Sequence, residues 1–238
     1  MPPYHWWRTV FFLIPAISLY TIVLGTLSIA SSLFESSGRF AHWCARTWSR
    51  LILVTTGVEV EVSGLEHLQR DRPYVFVANH QSIYDIPIIF WSLPYQIRII
   101  AKESLGRFPF LGWHLRRTGH MLVDRRRPDR AAIFGRASKL MQQGLSLIVF
   151  PEGTRSVNGE VGRFKSGIYH LSRLRPDVEL IPVYLENLNR ILPKGEFLPV
   201  PMLSRVVFGP PVSTSPDEGK DEFLARARQA LVQLRGMP

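Results

Sequence analysis

The sequence predicts an α/β domain with a mostly parallel, mixed sheet covered by helices, preceded by an N-terminal hydrophobic and amphipathic helical membrane segment. From residue 58 onward, short apolar runs rich in β-branched residues alternate with helical stretches, and no internal repeat divides them. This alternation is typical of a sheet buried under helices on both faces. Before residue 58 lies a long run without charged side chains. We therefore expect membrane-associating helices over 1–57 and one globular domain over 58–238.

The uncharged run extends from Phe11 to Phe34. As a helix it would be about 36 Å long, and a bilayer's hydrocarbon core is about 30 Å thick. Three interpretations are open: a helix that spans or lies in a membrane, a cleavable signal peptide, or a buried core helix. Arg8 is the only Lys or Arg before the run and no clear small-x-small cleavage site is present, which disfavours the signal peptide. We favour membrane association.

A second helix, over 40–52, is predicted to be amphipathic. Its aromatic and apolar residues recur at helical spacing, and His42, Arg46 and Arg50 form a row on another face. Such a helix suits an anionic membrane surface, and the basic residues after the apolar run would place the globular domain on the cytoplasmic face, at the inner membrane in a bacterium. The alternative is that this helix packs on the domain with its Arg face in water.

The remaining elements follow from periodicity and turn residues. The half-exposed strand 58–62 alternates with period two and is followed by Gly64, whereas the later strands are short apolar runs. The clearest helix is opened by Pro128 and ended by Gly144. The predicted strands are 58–62, 74–78, 97–101, 121–123, 145–150, 180–185 and 205–208. The predicted helices of the domain are 85–93, 105–116, 128–143, 164–175 and 217–235.

Composition limits the classes of function. The 238 residues carry a formal net charge of +10, which favours an anionic partner such as nucleic acid, a phospholipid surface, or a phosphorylated or CoA-type substrate. The single cysteine, Cys44, excludes an internal disulfide and a cysteine-based zinc site. We expect no metal and no cofactor.

A first polar cluster directly follows the strand 74–78, in the segment Asn79-His80-Gln-Ser-Ile-Tyr-Asp85. Active residues of parallel sheets gather beyond the carboxyl ends of strands. Asp85 could accept the proton of one His80 ring nitrogen, fix the tautomer, and leave the other nitrogen as a base. The alternative is that Asp85 only caps the next helix and His80 is an ordinary loop residue.

A second cluster, Phe150-Pro-Glu-Gly-Thr-Arg155, follows the strand 145–150. Its proline and glycine predict a tight turn with Glu152, Thr154 and Arg155 at the rim. Such a turn can offer backbone N–H groups, a carboxylate for a hydroxyl and a guanidinium for a phosphate. The alternative is a polar turn with an internal Glu–Arg pair.

A third cluster is a basic band between residues 102 and 136. Two of its members are placed like the other clusters, because Lys102 follows the strand 97–101 and Arg125 closely follows the strand 121–123. The remaining members are interpreted as solvated helix faces or membrane contacts. The band includes Lys102, Arg107, Arg116, Arg117, Arg125, Arg126, Arg127 and Arg130.

These clusters together resemble the motifs of the glycerolipid acyltransferase family, and within it the 1-acylglycerol-3-phosphate acyltransferases. The resemblance covers about residues 58–210 and rests on Asn79-His80-x4-Asp85, Gly119-x5-Arg125, Phe150 to Arg155, and Ile181-Pro-Val183. The second of these blocks is the loosest match. The resemblance implies transfer of a fatty acyl group from acyl-CoA or acyl carrier protein to the hydroxyl of a lysophospholipid.

The resemblance also implies the roles of residues. His80 would be the base, oriented by Asp85, and backbone N–H groups near the 150–155 turn would stabilise the oxyanion. Lys102, Arg125 and Arg155 would hold the phosphate, and Glu152 a glycerol hydroxyl, with Gly153 and Thr154 completing the substrate-binding turn. The acyl carrier protein and an anionic membrane surface would be partners, and nucleic acid would not.

Other classes find less support. The sequence contains no Gly-x-Gly-x-x-Gly, P-loop or His-Glu-x-x-His string. Two alternatives stay open: an acyltransferase for another lysophospholipid or lipid acceptor, and a basic, membrane-bound nucleic-acid-binding protein without enzymatic activity.

Overall fold

The computed structural model describes residues 3–69, 72–124, 126–215 and 217–237. At its centre lie seven strands: β1 (Glu59–Ser63), β2 (Val75–Ala78), β3 (Ile97–Lys102), β4 (Met121–Val123), β5 (Ser146–Val149), β6 (Leu180–Leu185) and β7 (Leu203–Phe208). They form one sheet in the order β1-β7-β6-β2-β5-β3-β4. The five strands from β6 to β4 are mutually parallel, and β7 pairs antiparallel with β6 and parallel with β1. The predicted mostly parallel, mixed sheet is confirmed.

The helices are α1 (Pro3–Arg8), α2 (Ile14–Ser31), α3 (Arg39–Thr56), α4 (Asp85–Ser92), α5 (Leu111–Arg117), α6 (Arg130–Gln142), α7 (Gly167–Leu174), α8 (Leu188–Ile191) and α9 (Lys220–Gln233). A π-helical turn, Thr9–Leu13, joins α1 to α2. The single helix predicted over 105–116 is wrong: a 3₁₀ turn, Glu103–Arg107, precedes α5, and Phe108 between them is extended. Pro109 explains the break, because proline removes a donor and pushes the preceding residue out of the helical region. The short helix α8 was not predicted.

The sheet separates two apolar cores. Because side chains alternate along a strand, β2 sends Phe76 and Ala78 to one face and Val75 and Val77 to the other. The first core contains residues of α3 and α4, and the second contains residues of α6, α7 and α9. Because helices cover both faces of the sheet, polar side chains can converge at the carboxyl ends of its parallel strands.

The N-terminal helices lie against the domain. Tyr4–Ser31 is long and apolar enough to cross a membrane, and only 6% of its most apolar window is buried, so it is not a core helix. It packs on the rest of the protein through a side that includes the buried Leu24 and Gly25. Polar contacts also cross this interface, since Trp48 Nε1 donates to Thr21 Oγ1 at 2.9 Å and Ser28 Oγ lies 2.6 Å from His114 Nδ1. Its remaining surface is mostly exposed and apolar.

The amphipathic helix α3 packs on the domain, as one of the two interpretations predicts, and its contact with an anionic membrane surface stays a prediction. Ile52 and Leu53 are buried in the first core, so its C-terminal half belongs to the packing of the domain. Nearer its N-terminus, Phe40 and Trp43 are 40% and 54% exposed. The guanidinium of Arg50 lies over the ring of Trp91 at 5.8 Å from its centroid. The helix therefore packs on the domain along one side and presents aromatic rings on another.

Candidate active site

The His80–Asp85 pair forms as the sequence predicts. His80 leaves the carboxyl end of β2 and Asp85 begins α4, and His80 Nδ1 is hydrogen-bonded to Asp85 Oδ2. Asp85 does not cap α4; its carboxylate turns back and accepts from the amides of Gln81 and Ser82, each at 3.0 Å. Complete burial raises the pKa of Asp85, opposed by these hydrogen bonds and by His80. The pair therefore fixes Nδ1 of His80 against the carboxylate and leaves Nε2 for a substrate proton.

The turn after β5 lies directly beside His80, because β5 is the neighbour of β2 in the sheet. The His80 amide donates to Glu152 Oε1 at 2.9 Å, and the Ser156 amide donates to the His80 carbonyl at 2.7 Å. Glu152 is buried, and its Oε2 accepts from the amide of Gly162 at 2.9 Å. With both oxygens bonded to backbone, its position favours holding the two loops together over the predicted contact with a glycerol hydroxyl.

Two other residues of this turn shape the surroundings of the histidine. The Phe150 ring stacks on the His80 ring, with centroids 4.3 Å apart and an interplanar angle of 26°. Gly153 has φ +74°, in the left-handed region that favours glycine, and a Cβ there would lie 2.6 Å from Lys165 Nζ. The stacking limits the rotation of the imidazole, and the glycine permits a lysine to approach the turn.

Outside the dyad, the predicted substrate-binding residues that the structure describes are more exposed than Asp85. Lys102 ends β3 and is exposed, Thr154 is exposed, and Arg155 is half-buried beside the dyad loop, its carbonyl accepting from Lys194 Nζ at 3.4 Å. Arg125 lies outside the described residues. The structure thus brings His80, Asp85 and Glu152 into direct contact, and it places Lys102 and Arg155 at the same edge of the sheet.

The sequence did not predict the contacts of Asn79, Gln81 and Lys165, which hold the loops of the site together. Asn79 bridges the ends of β2 and β6, since its side chain donates to the Leu185 carbonyl at 2.9 Å and accepts from the Leu185 amide at 2.7 Å. Gln81 Oε1 accepts from the Leu188 amide of α8 at 3.1 Å. The Lys165 amide donates to the Pro151 carbonyl at 2.9 Å. The signal in the sequence that could have pointed to Lys165 is its position two residues before Gly167, where α7 begins.

An apolar cavity of about 200 Å³ adjoins the site on the first core's face of the sheet. Its walls come from α2, α3, α4 and α5, and Ile83 and Ile86 bring them to the dyad segment. Leu24, Cys44, Phe90 and Leu115 line its interior, with the imidazoles of His114 and His120. An apolar space of this kind accepts hydrocarbon.

Known proteins resemble this chain in sequence and in fold. A family model described as Acyltransferase matches residues 59–186. A 1-acyl-sn-glycerol-3-phosphate acyltransferase of Saccharomyces cerevisiae is 33% identical over 216 residues, which are 86% of this chain and 70% of the yeast protein. A chloroplastic 1-acyl-sn-glycerol-3-phosphate acyltransferase of Arabidopsis thaliana is 32% identical over 159 residues, 66% of this chain but only 44% of the plant protein.

The fold also matches a solved structure. The 1-acyl-sn-glycerophosphate acyltransferase of Thermotoga maritima superposes with a TM-score of 0.73 at 22% identity, over 93% of this chain and 97% of that one. At that identity the likeness establishes the shared fold.

Proposed function

Because this chain belongs to the acyltransferase family, we propose that it transfers a fatty acyl group from an acyl thioester to the free hydroxyl of a 1-acylglycerol-3-phosphate, giving phosphatidic acid. The observation that carries the proposal is the His80–Asp85 dyad, held by Glu152 and stacked by Phe150 at the edge of the sheet. The donor is acyl-CoA or acyl carrier protein, and the chain's own side chains perform the chemistry without a cofactor.

His80 is the base of the proposed reaction. An alkyl hydroxyl is a poor nucleophile, so Nε2 of His80 takes its proton as the oxygen attacks the thioester carbonyl carbon. Asp85 keeps Nδ1–H in place and stabilises the imidazolium. When the intermediate collapses, the C–S bond breaks and the departing thiolate receives the proton from His80. No covalent acyl-enzyme forms on this path.

We assign stabilisation of the oxyanion to the backbone of the 150–155 turn. The Gly153 amide donates to the Phe150 carbonyl at 3.1 Å and the Ser156 amide donates to His80. The amides between them, of Thr154 and Arg155, are the ones we assign to the developing negative charge. The apolar cavity beside Ile83 and Ile86 would take a hydrocarbon chain of a substrate.

An assay of purified, detergent-solubilised full-length protein against a panel of lysolipids tests this proposal. With acyl-CoA or acyl carrier protein as donor, lysophosphatidate should give a kcat/KM at least about 10-fold above that of monoacylglycerol, because charge-assisted hydrogen bonds to a phosphate are strong. Free thiol release and mass spectrometry of the product report the reaction. No thiol release with any lysolipid, alongside salt-sensitive DNA binding, would support the nucleic-acid alternative instead.

We propose that the exposed face of α1, the π turn and α2 binds the membrane, with the domain on the cytoplasmic side. Trp7, Phe11 and Phe12 are 57%, 63% and 57% exposed. Burying a phenylalanine side chain in hydrocarbon contributes about 1.5–3 kcal/mol, and this apolar face would bury several aromatic rings at once. The basic residues that follow the run favour anionic lipid and the cytoplasmic leaflet.

Replacing Phe11 and Phe12 by glutamate should weaken binding of the protein to vesicles that contain phosphatidylglycerol by about 100-fold or more. Flotation of the full-length protein with such vesicles measures it. Leu174→Glu is the matched control, because Leu174 is a 44% exposed apolar residue at the end of α7, on the domain. Equal vesicle binding by the Phe11→Glu/Phe12→Glu variant and the wild type would contradict the assignment.

A further inference from the structure

Arg98 is a buried cation at the edge of the sheet opposite the candidate active site. It is the second residue of β3, whose carboxyl end carries Lys102, and it is only 5% exposed. Burial lowers the pKa of the guanidinium to about 10, which is still far above neutral pH, so Arg98 keeps its charge inside the protein. A buried charge is costly unless an opposite charge and hydrogen bonds compensate it.

The compensation that Arg98 receives within the described part of the chain is incomplete. Nη1 donates to the Ile97 carbonyl at 3.1 Å, and Nη2 donates to Gln96 Oε1 at 3.5 Å, which is long for a hydrogen bond. The Nε–H group is buried and has no hydrogen-bond partner among the described residues. None of the described carboxylates forms an ion pair with the guanidinium. One buried donor and one positive charge are therefore left without a protein partner there.

The titratable side chains around Arg98 supply no negative charge. Burial, and after it the charge of Arg98, lowers the pKa of His42 on α3 and of His114 on α5 to about 4, so both imidazoles are neutral at neutral pH. Burial also lowers the pKa of His120, before β4, well below its usual value, and Arg136 of α6 acts on it as a further cation. The surroundings of the guanidinium are thus neutral or positive.

Two glycines show on which side of Arg98 a partner has room. Gly38, before α3, closes one side of the guanidinium, because a Cβ there would lie 3.0 Å from Nη2. Gly119, after α5, borders the other side and has φ +84°. Apart from its neighbours along the chain, a Cβ at Gly119 would have one heavy atom of the described residues within 4 Å, which is Arg98 Nε at 3.6 Å. Space for a small ion therefore lies beside the unpartnered donor.

We propose that this space binds a small anion such as chloride, with Arg98 Nε as the donor and Gly119 as the open wall. A water molecule would accept the hydrogen bond but leave the charge uncompensated, whereas an anion satisfies both. The site lies where the N-terminal helices meet the domain, since Gly38 precedes α3 and Ser28 of α2 contacts His114. A bound anion would stabilise the attachment of these helices, independently of the proposed acyl transfer.

Thermal unfolding of the full-length protein in a nonionic detergent tests this site. Chloride replaces gluconate, whose chain is too bulky for the space, at constant ionic strength, so the screening of surface charges does not change. Each tenfold rise in chloride concentration above the dissociation constant should raise Tm by about 3–5 °C, because a ligand that binds only the folded state stabilises it. A Tm that is the same in chloride and in gluconate would overturn the proposal.

Two variants separate the site from general effects of the salt. In Gly119→Ala the new Cβ occupies the space beside Nε. In Arg98→Met the donor and the charge are both removed. Each variant should lose the chloride-dependent rise in Tm, and Gly119→Ala tests the site even if Arg98→Met does not fold.

Gly144→Ala is the matched control for Gly119→Ala. Gly144 has φ +76°, so an added Cβ causes comparable backbone strain, but this Cβ would meet no atom of the described residues within 4 Å. Gly144→Ala should unfold at a lower temperature than the wild type and keep the full chloride-dependent rise. Retention of the rise by Gly119→Ala or by a folded Arg98→Met protein, or its equal loss in both alanine variants, contradicts the anion site.

Discussion

The His80→Ala variant should lose at least about 100-fold in kcat while its KM for lysophosphatidate stays near the wild-type value. The loss follows from general-base catalysis, which contributes about 10²–10⁴-fold when a positioned base takes a proton in the transition state. Substrate binding should persist, because the apolar cavity that would hold the hydrocarbon chain is lined by other residues. Steady-state kinetics with a short-chain, water-soluble lysophosphatidate would measure kcat and KM separately.

Asp85→Asn is the companion variant, since it keeps the size of the side chain and removes the charge that orients His80. Its kcat should fall as well, because an amide stabilises neither the required tautomer nor the imidazolium as a carboxylate does. Thermal unfolding of both variants checks that the fold is intact. A folded His80→Ala protein with wild-type turnover would eliminate this mechanism.

Acid should destabilise the protein through three histidines that lie around Arg98, of which His114 and His120 are buried and His42 is half-buried. His42 on α3, His114 on α5 and His120 before β4 face this cation, which is 5% exposed and hydrogen-bonded to the Ile97 carbonyl at 3.1 Å and to Gln96 Oε1 at 3.5 Å. Arg98 has no carboxylate partner among the residues that the structure describes. Burial, reinforced by Arg98, lowers the pKa of His42 and of His114 to about 4 and that of His120 well below its usual range.

The sign of the effect follows from which state binds more protons. In the unfolded chain these histidines charge as the pH falls through about 6.5, whereas in the folded protein they stay neutral until about pH 4. The unfolded state therefore binds more protons in this window, and the free energy of unfolding falls as the pH falls. Between pH 7 and pH 5 the expected loss is about 2 kcal/mol for each of His42 and His114.

Urea denaturation of the detergent-solubilised protein across this pH range would measure the loss. His42→Gln and His114→Gln should each flatten the pH dependence, because glutamine does not titrate. A stability that stays constant from pH 7 to pH 5 in the wild type would contradict this account.

The sequence by itself determined the succession of the seven strands along the chain and the residues of the dyad. The runs 74–78 and 180–185 predict strands because they are short, apolar and bounded by turn residues. Once β2 and β5 are parallel strands, their carboxyl ends share one edge, so His80 and the 150–155 turn had to lie on the same side of the sheet. The short spacing between His80 and Asp85 then lets their side chains meet across a single turn.

Only the tertiary structure decided which groups meet across long separations in sequence. Glu152 bonds the His80 amide, Asn79 bonds Leu185, and Lys165 returns to Pro151, and each contact depends on strand order and on the path of a loop. Local periodicity carries no information on these pairings, since hydrogen bonds between loops follow from the packing of both cores. The same packing placed an apolar cavity on the first core's face of the sheet, where Ile83 and Ile86 of the dyad segment line it.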